Sequence, residues 1–278
     1  MKSFFRTASK LLTKWLVLVK SKVIHQLCQK INTMKSKIIV ITGGTSGIGF
    51  ACAEYLSNLN YRVIITGRTK ENLDSAIAKL GKSVTGILSD TSSLKDIDDL
   101  VVRIKNQFQK IDGIFVNAGI FRAASFEETT EQLFDETMHI NFKGAFFTIQ
   151  KFIPILNNPS SIVLNTSIVV FKAFASTSAY TASKAALESL SKVLNVELAN
   201  RGIRVNVVSP GVTESPIQKK SGMSDEAINN LLTHFTETSP IGRIIQPTDI
   251  AQIVEFLLSD KSSVLRDEKI IVDGGTTL

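Results

Sequence analysis

Cysteine and histidine are scarce in this sequence, which has two cysteines and three histidines among 278 residues. Cys28 and Cys52 flank a predicted strand, and two such cysteines make neither a disulfide framework nor a thiolate metal site. The histidines at positions 25, 139 and 234 lack the spacing of metal ligands. We therefore expect no disulfide scaffold and no bound metal.

Long apolar runs are also missing. A helix that crosses a membrane needs about 20 mainly apolar residues, whereas the run from Trp15 to Val19 ends at Lys20. A secretory signal peptide is not favoured, because Lys14 interrupts the apolar stretch and no small-residue cleavage site follows. The sequence therefore predicts neither a membrane span nor a secretory leader.

Acidic residues are absent from positions 1–33, which contain seven of the 32 lysines and arginines. The 25 basic residues that remain equal the 25 acidic residues of the chain, so residues 34–278 are formally neutral. A neutral domain lacks the basic surface that nucleic acid requires, and we expect no nucleic-acid partner.

The basic N-terminal arm, residues 1–33, allows three interpretations. Its apolar residues recur about every four positions, at Leu12, Leu16, Val19, Val23 and Leu27. This spacing predicts a loosely amphipathic basic helix that could make peripheral contact with an anionic membrane surface. The alternatives are that the arm is disordered, or that Met34 is the true start of the protein.

A strand, a glycine turn and a helix follow one another after the arm. The β-branched run Lys37 to Thr42 predicts a buried strand, and the apolar pattern of Phe50 to Ser57 predicts a helix. Strands and helices then alternate to the end of the chain without a linker rich in proline, glycine or serine. We expect one Rossmann-type α/β domain, residues 34–278, with a doubly wound parallel sheet and helices on both faces.

Glycines at positions 43, 47 and 49 form the turn between this strand and this helix. Glycines permit a tight turn, close approach of the backbone to a pyrophosphate, and close packing of the helix on the sheet. The free N–H groups at the helix start then face the anion. The turn predicts a dinucleotide site.

Tyr180 and Lys184 are four residues apart in a predicted helix, so they share one face and can act together in proton transfer. A free tyrosine has a pKa of about 10, which is too high for efficient proton exchange near neutral pH. We expect the positive charge of Lys184 to lower the pKa of Tyr180. This pair, combined with the Gly-x-x-x-Gly-x-Gly turn, resembles the short-chain dehydrogenase/reductase family over residues 37–278. The resemblance implies an oxidoreductase that interconverts a carbonyl and an alcohol with a nicotinamide cofactor.

The resemblance implies a catalytic set of four residues. Tyr180 would be the proton donor, and Lys184 would lower its pKa and bind the nicotinamide ribose. Ser167 would hold and polarise the substrate carbonyl. Asn141, in a long predicted helix over residues 127–156, would use a kinked helix backbone to hold a water that relays protons from Lys184.

The resemblance also implies a cofactor-binding set along the chain. Asp90 would contact the adenine, the Asn117 turn would lie beside the adenine ribose, and Ser215 would replace the threonine that contacts the nicotinamide carboxamide. The full set is Gly43, Thr45, Ser46, Gly47, Ile48, Gly49, Arg68, Asp90, Asn117, Ala118, Gly119, Tyr180, Lys184, Pro210, Gly211, Thr213 and Ser215.

The residues after the second predicted strand, Arg62 to Thr66, bear on the choice of cofactor. An acid at this place would hold the ribose 2′-hydroxyl of NAD, whereas an arginine suits the 2′-phosphate of NADP. No carboxylate precedes Glu71, and Arg68 offers a fork of donors for phosphate. The sequence therefore favours NADP(H) over NAD(H).

The segment from Ile168 to Phe174 is apolar and bulky, which favours a hydrophobic small-molecule carbonyl or alcohol as substrate. The resemblance implies that residues 215–240 form a lid over the substrate. One alternative is a 3-oxoacyl-acyl-carrier-protein reductase, for which Arg201 could dock the carrier, although Asn158 replaces a second basic residue. Another alternative is a non-catalytic nicotinamide-binding sensor or scaffold.

Assembly and location follow from the same resemblance. The helical stretches 127–156 and 178–200 would pair copies of the chain into a homodimer or homotetramer. Small and apolar residues of the second stretch, among them Ala182, Ala186 and Leu194, could pack against a symmetry mate. A nucleotide-dependent enzyme without a leader is expected in the cytoplasm.

Overall fold

A seven-stranded parallel sheet forms the centre of the computed structural model, which describes residues 36–278. The strand order is β3-β2-β1-β4-β5-β6-β7. The strands are β1 (Ile38–Ile41), β2 (Arg62–Gly67), β3 (Val84–Leu88), β4 (Ile111–Val116), β5 (Leu156–Asn165), β6 (Ile203–Pro210) and β7 (Lys269–Val272). This order confirms the expected doubly wound α/β domain.

Helices cover both faces of the sheet. They are α1 (Gly47–Asn58), α2 (Lys70–Leu80), α3 (Leu94–Phe108), α4 (Glu131–Met138), α5 (Ala145–Phe152), α6 (Ser178–Glu197), α7 (Asp225–Thr238) and α8 (Pro247–Leu258). Helices α1, α2 and α8 contribute to the hydrophobic core on one face, and α3, α5 and α6 to the core on the other. No helix in residues 36–278 is long and apolar enough to cross a membrane.

The β-branched residues of β1 explain how a short strand lies at the centre of the molecule. All four of its residues are buried, and alternate side chains enter opposite cores: Val40 packs with the α3, α5 and α6 face, while Ile39 and Ile41 pack with the other. A strand covered on both faces has no polar side, which is why it reads as a continuous apolar run.

The chain reverses its direction of winding between β1 and β4, and a crevice opens there at the carboxyl ends of the strands. The side-chain amide of Asn117 donates to the carbonyls of Thr42 and Gly43, at 3.0 and 3.2 Å. The Thr42 hydroxyl in turn accepts the backbone N–H groups of Asn117 and Ala118, both at 3.0 Å. These bonds fix the two sides of the crevice together.

The predicted helix over residues 127–156 is wrong as a single regular element. It consists of α4, a π-helical segment (His139–Gly144), α5 and a 3-10 turn (Ile153–Ile155). The predicted stretch 178–200 is α6 followed by a turn at Ala199–Arg201. Residues 215–240 contain a short turn at Gln218–Lys220 and α7. The predictions for the N-terminal arm lie outside the described residues.

Candidate active site

A cavity of about 660 Å³ opens at the carboxyl ends of the strands. Three of the four predicted catalytic residues line it, namely Ser167, Tyr180 and Lys184. Sixteen predicted cofactor residues line it as well: Gly43, Thr45, Ser46, Gly47, Ile48, Arg68, Asp90, Asn117, Ala118, Gly119, Tyr180, Lys184, Pro210, Gly211, Thr213 and Ser215. Asn141 and Gly49 do not line the cavity. Asn141 bonds to Ile120 and Gly49 packs against Gly43, and both Ile120 and Gly43 line it.

The glycine turn leaves the start of α1 open to this cavity. Gly43 and Gly47 have φ angles of 67° and 54°, in the left-handed region that favours glycine. A Cβ on Gly49 would lie 2.4 Å from the carbonyl oxygen of Gly43, so only glycine permits this packing. The N-cap residue, Ser46, makes no side-chain capping bond. The first N–H groups of α1 thus keep their capacity to bind an anion.

Arg68 and Asp90 also line the cavity. Arg68 is exposed on the loop between β2 and α2 and makes no ion pair with any residue that the structure describes. One carboxylate oxygen of Asp90 accepts from the backbone N–H and the hydroxyl of Ser92, at 2.9 and 2.8 Å. Asp90 therefore fixes its own turn, and its second carboxylate oxygen is left for a ligand.

Tyr180 lies in the first turn of α6 with its hydroxyl beside the Ser167 side chain, which follows β5. The ring of Phe121 packs edge-on against it, with centroids 5.1 Å apart. The pKa of Tyr180 is raised to about 12, because burial disfavours the phenolate more than the hydrogen bond with Ser167 favours it. The expected lowering of the Tyr180 pKa by Lys184 is therefore wrong for this geometry.

The position of Lys184 explains this difference. Its Nζ atom lies 5.6 Å from the centroid of the Tyr180 ring and donates to the carbonyl oxygen of Asn165 at 2.8 Å. The ammonium thus lies over the ring and is held by β5. Lys184 is 3% exposed, and burial lowers its pKa to about 8. Of the two groups, Lys184 therefore has the pKa closer to neutral pH.

Asn141 lies in the π-helical segment behind the cavity and is 1% exposed. Its Oδ1 accepts from the N–H of Ile120 at 2.8 Å, and its Nδ2 donates to the Ile120 carbonyl at 2.9 Å and the Ser183 hydroxyl at 3.1 Å. A Cβ on Gly119 would lie 3.1 Å from this Oδ1 and 3.5 Å from the Nζ of Lys184. Asn141 therefore ties the loop after β4 to α6 close to Lys184.

The segment after β6 also lines the cavity and comes close to the glycine turn, since a Cβ on Gly47 would lie 3.2 Å from the Cβ of Ser215. A Cβ on Gly211 would lie 2.8 Å from the Cα of Asp273, so the chain passes close to the turn after β7. The Thr213 hydroxyl donates to the Gly211 carbonyl at 2.9 Å, and the Ser215 hydroxyl donates to Oε1 of Gln218 at 3.2 Å. These hydroxyls hold the segment, and their oxygens can still accept a hydrogen bond.

Comparisons with known proteins agree with this geometry. A family model described as enoyl-(acyl carrier protein) reductase matches residues 43–277. The human dehydrogenase/reductase SDR family member 4 is 33% identical over 249 residues, which cover 87% of this chain and 88% of that protein. This chain belongs to the short-chain dehydrogenase/reductase family.

Solved structures of the family have the same fold. A levodione reductase structure has a TM-score of 0.82 and 27% identity, covering 87% of this chain and 97% of that one. A 3-ketoacyl-(acyl-carrier-protein) reductase from Brucella melitensis, complexed with NADH, has a TM-score of 0.80 and 26% identity, covering 88% of this chain and all of that one. The short-chain dehydrogenases/reductases are oxidoreductases that bind a nicotinamide cofactor.

The cavity of this short-chain dehydrogenase/reductase fits such a cofactor. The backbone N–H groups at the uncapped start of α1 suit a pyrophosphate. Arg68 has no ion-pair partner within residues 36–278, and Asp90 has one carboxylate oxygen without a hydrogen bond there; both line one end of the cavity. Lys184 lines its centre. The donors are backbone N–H groups and cations, which suit a phosphate-rich ligand. The cofactor would therefore lie between Arg68 and Tyr180.

Sequence reasoning missed Asn165, the last residue of β5. Its carbonyl holds Lys184, and its Nδ2 donates to Oδ1 of Asn117 at 2.8 Å. The Asn117 amide nitrogen already serves two backbone carbonyls, so its oxygen must accept and thereby orients Asn165. The signal was a polar residue at a strand end two positions before Ser167.

Sequence reasoning also missed Phe121 in the apolar wall beyond Tyr180, although it predicted that segments 168–174 and 215–240 would supply this wall. This wall contains Phe121 and Val169, together with Met223, Leu231 and Phe235 of the 215–240 segment. Phe174, from the loop before α6, packs against Phe235 with ring centroids 5.9 Å apart. The 215–240 segment therefore covers one side of the cavity with apolar side chains, as a lid would.

Proposed function

We propose that this protein is an NADP(H)-dependent oxidoreductase that interconverts a carbonyl and a secondary alcohol on a hydrophobic small molecule. One observation carries the proposal: Ser167, Tyr180 and Lys184 meet at one cavity, between the open start of α1 and an apolar wall. Hydride transfer to a carbonyl needs a proton donor beside the carbonyl oxygen, and a nicotinamide pocket next to it.

In this mechanism Ser167 and Tyr180 both bind the substrate oxygen. The Ser167 hydroxyl orients and polarises the carbonyl. Because the pKa of Tyr180 is raised to about 12, its hydroxyl stays protonated at neutral pH and can donate to the oxygen as charge develops there. A bound nicotinamide supplies the hydride in reduction and accepts it in oxidation.

Lys184 and Asn141 would restore the proton on Tyr180. With a pKa lowered to about 8, Lys184 exchanges protons easily near neutral pH. The π-helical segment around Asn141 departs from the regular ladder of helix hydrogen bonds, so it offers a place for the relay water that the family resemblance implies. Lys184 would also hold the nicotinamide ribose.

The preference for NADP(H) rests on Arg68. Its guanidinium lines the cavity, is exposed, and has no acidic partner within residues 36–278. An unpaired guanidinium at the end of β2 matches a 2′-phosphate better than a 2′-hydroxyl.

A 3-oxoacyl-acyl-carrier-protein reductase is the second candidate, supported by the description of the matching family model. The proposed docking residue, Arg201, already donates to the Ile153 carbonyl at 2.7 Å, which limits its reach toward a carrier. Asn158 is exposed and uncharged. A non-catalytic sensor or scaffold is third, because all four predicted catalytic residues are present. A cytoplasmic location stays a prediction.

Turnover of a panel of apolar ketones and aldehydes with NADPH and with NADH tests the proposal. The wild type should reduce several of them, faster with NADPH. Tyr180→Phe should lower kcat by about 10² to 10⁴, because it removes the proton donor, while the Kd for NADPH changes less than about twofold. A Tyr180→Phe variant that keeps more than a tenth of the wild-type rate would contradict the assignment.

A further inference from the structure

The charged side chains that line the cavity are unevenly distributed. Arg68 and Asp90 lie at the proposed adenosine end, and Lys184 lies at the centre. Beyond Tyr180, where the substrate would lie, the lining carries one further charge, that of Lys220. The rest of this region is mainly apolar, with Phe121, Val169, Phe174, Met223, Leu231 and Phe235. The substrate region is thus apolar with a single cation and no acid among the described lining residues.

The backbone of Lys220 is fixed at the edge of this region. The guanidinium of Arg122 donates to the Lys220 carbonyl, and the N–H of Ala123 donates to the Ser221 carbonyl at 3.1 Å. The buried side chain of Gln218 anchors the same turn by donating to the Thr213 carbonyl at 2.7 Å. The turn therefore presents Lys220 from a fixed Cα position, while its side chain is exposed and can move.

The positive charge of Lys220 is not neutralised by a described residue. Its ammonium makes no ion pair or side-chain hydrogen bond within residues 36–278. The neighbouring cation, Arg122, has Glu136 at 3.7 Å. Lys219 carries the same charge on the same turn but does not line the cavity. Lys220 is therefore the cation placed to meet a ligand.

We propose that the substrate is an apolar carbonyl compound with an anionic oxygen group, a carboxylate or a phosphate, at the end remote from the carbonyl, and that Lys220 binds this group. This inference rests on the proposed carbonyl chemistry and specifies its substrate class. An unpaired cation at the mouth of an apolar cavity attracts anions, disfavours cations and fixes which end of the ligand enters first. The apolar wall would hold the body of the molecule.

Three matched ketones test the proposal with the full-length protein and NADPH. They share one alkyl chain and one ketone and differ at the far end, which is a carboxylate, a phosphate or a neutral amide. The measured quantity is the ratio of kcat/KM for each anionic ketone to that for the amide. The variants are Lys220→Met, Lys220→Arg and, as a matched control from the same turn, Lys219→Met.

The wild-type ratio should exceed one, and it should fall toward one as salt screens the exposed ammonium. Lys220→Met should lower this ratio roughly fivefold, which is the upper range for an exposed ion pair. The loss should come from a higher KM for the anionic ketones. Lys220→Arg should keep most of the ratio, and Lys219→Met should leave it unchanged. The larger ratio, carboxylate or phosphate, identifies the group that the substrate carries.

Two results would overturn the inference. One is a wild-type ratio at or below one for both anionic ketones. The other is an equal fall in the ratio for Lys220→Met and Lys219→Met, which would show an effect of net charge alone. Turnover of the amide ketone reports separately on the proposed function. If no ketone turns over, thermal shifts of the NADPH complex with the carboxylate and the amide give the same comparison, and equal shifts reject the role of Lys220.

Discussion

At the scale of single residues, the burial of Lys184 makes a prediction about stability and pH. Its pKa is lowered to about 8, below the value of about 10.4 for lysine in an unfolded chain. Between these values the unfolded chain binds more protons, so stability rises with pH. From pH 7 to pH 10 the wild type should gain about 2 to 3 kcal/mol of unfolding free energy relative to Lys184→Met.

Urea unfolding of both proteins at a series of pH values measures this difference. Lys192→Met is the matched control, because Lys192 is exposed on the same helix and should show no such change relative to wild type. A difference between wild type and Lys184→Met that is constant from pH 7 to pH 10 would show that the lysine is not buried as an ammonium.

Arg68 makes the second prediction at this scale. Removing a hydrogen-bonded charged group costs about 1.5 to 3 kcal/mol, so Arg68→Ala should weaken NADPH binding by that amount and leave NADH nearly unchanged. Fluorescence titration with both cofactors measures the two Kd values. Arg103→Ala, an exposed arginine of α3, controls for net charge. Equal losses for NADPH and NADH would refute a contact between Arg68 and the 2′-phosphate.

At the scale of elements, the π-helical segment His139–Gly144 joins the catalytic side of the site to the adenosine side. Asn141 ties it to the loop after β4 and to α6, and the ring Nε2 of His139 lies 2.9 Å from the Ser92 carbonyl, in the turn that Asp90 fixes. Gly144 packs directly on Thr91, which lines the cavity. The segment therefore carries Asn141 and supports the loop beneath the proposed adenine site.

This contact makes a prediction for Gly144→Ala. In an unconstrained helix the change stabilises by about 1 kcal/mol, because alanine is the better helix former. Here the added Cβ would lie 2.4 Å from the Thr91 carbonyl oxygen and 2.7 Å from its Cγ2. We expect a loss of about 1 to 3 kcal/mol instead, as for other overpacked sites.

Thermal and urea unfolding test the sign of this effect. Ser189→Ala, at an exposed position of α6, is the control and should stay within about 0.5 kcal/mol of wild type. A Gly144→Ala protein as stable as the wild type would mean that the Asp90 loop moves aside without cost.

At the scale of the whole molecule, the exposed face of α6 is a candidate contact surface between copies of the chain. Val193 and Val196 lie one turn apart and are 51% and 79% exposed. Ala182 is also exposed, but Leu194, expected at the interface between copies, is 8% exposed and lies in the core of its own chain. The expected packing face is therefore corrected to Ala182, Ala186, Val193 and Val196.

We expect this face to pair two copies of the chain, because exposed valines beside small residues permit close helix packing. Light scattering at micromolar concentration should give a mass of at least twice the 30.4 kDa of one chain. The double variant Val193→Asp, Val196→Asp should shift the mass toward one chain. Val102→Asp, an exposed valine of α3, is the control. A wild-type mass of one chain would refute pairing.

The sequence by itself determined the order of the strands and helices and the residue types at strand ends. The β-branched run of β1, the glycine turn before α1 and the Tyr180–Lys184 spacing are local signals, because they depend on backbone periodicity and on the conformations open to glycine. Parallel strands bring their carboxyl ends to one edge of the sheet, so the sequence predicts that Ser167, after β5, and Tyr180, at the start of the next helix, lie at one site.

Only the tertiary structure decided the electrostatics and the partners of the site. The pKa of Tyr180 depends on how much water reaches its hydroxyl and on where the Lys184 ammonium lies, and both follow from packing among segments distant in sequence. The roles of Asn165 and Lys220 depend in the same way on contacts between loops that spacing does not encode. Local sequence sets which groups can meet, and packing sets which atoms of those groups touch.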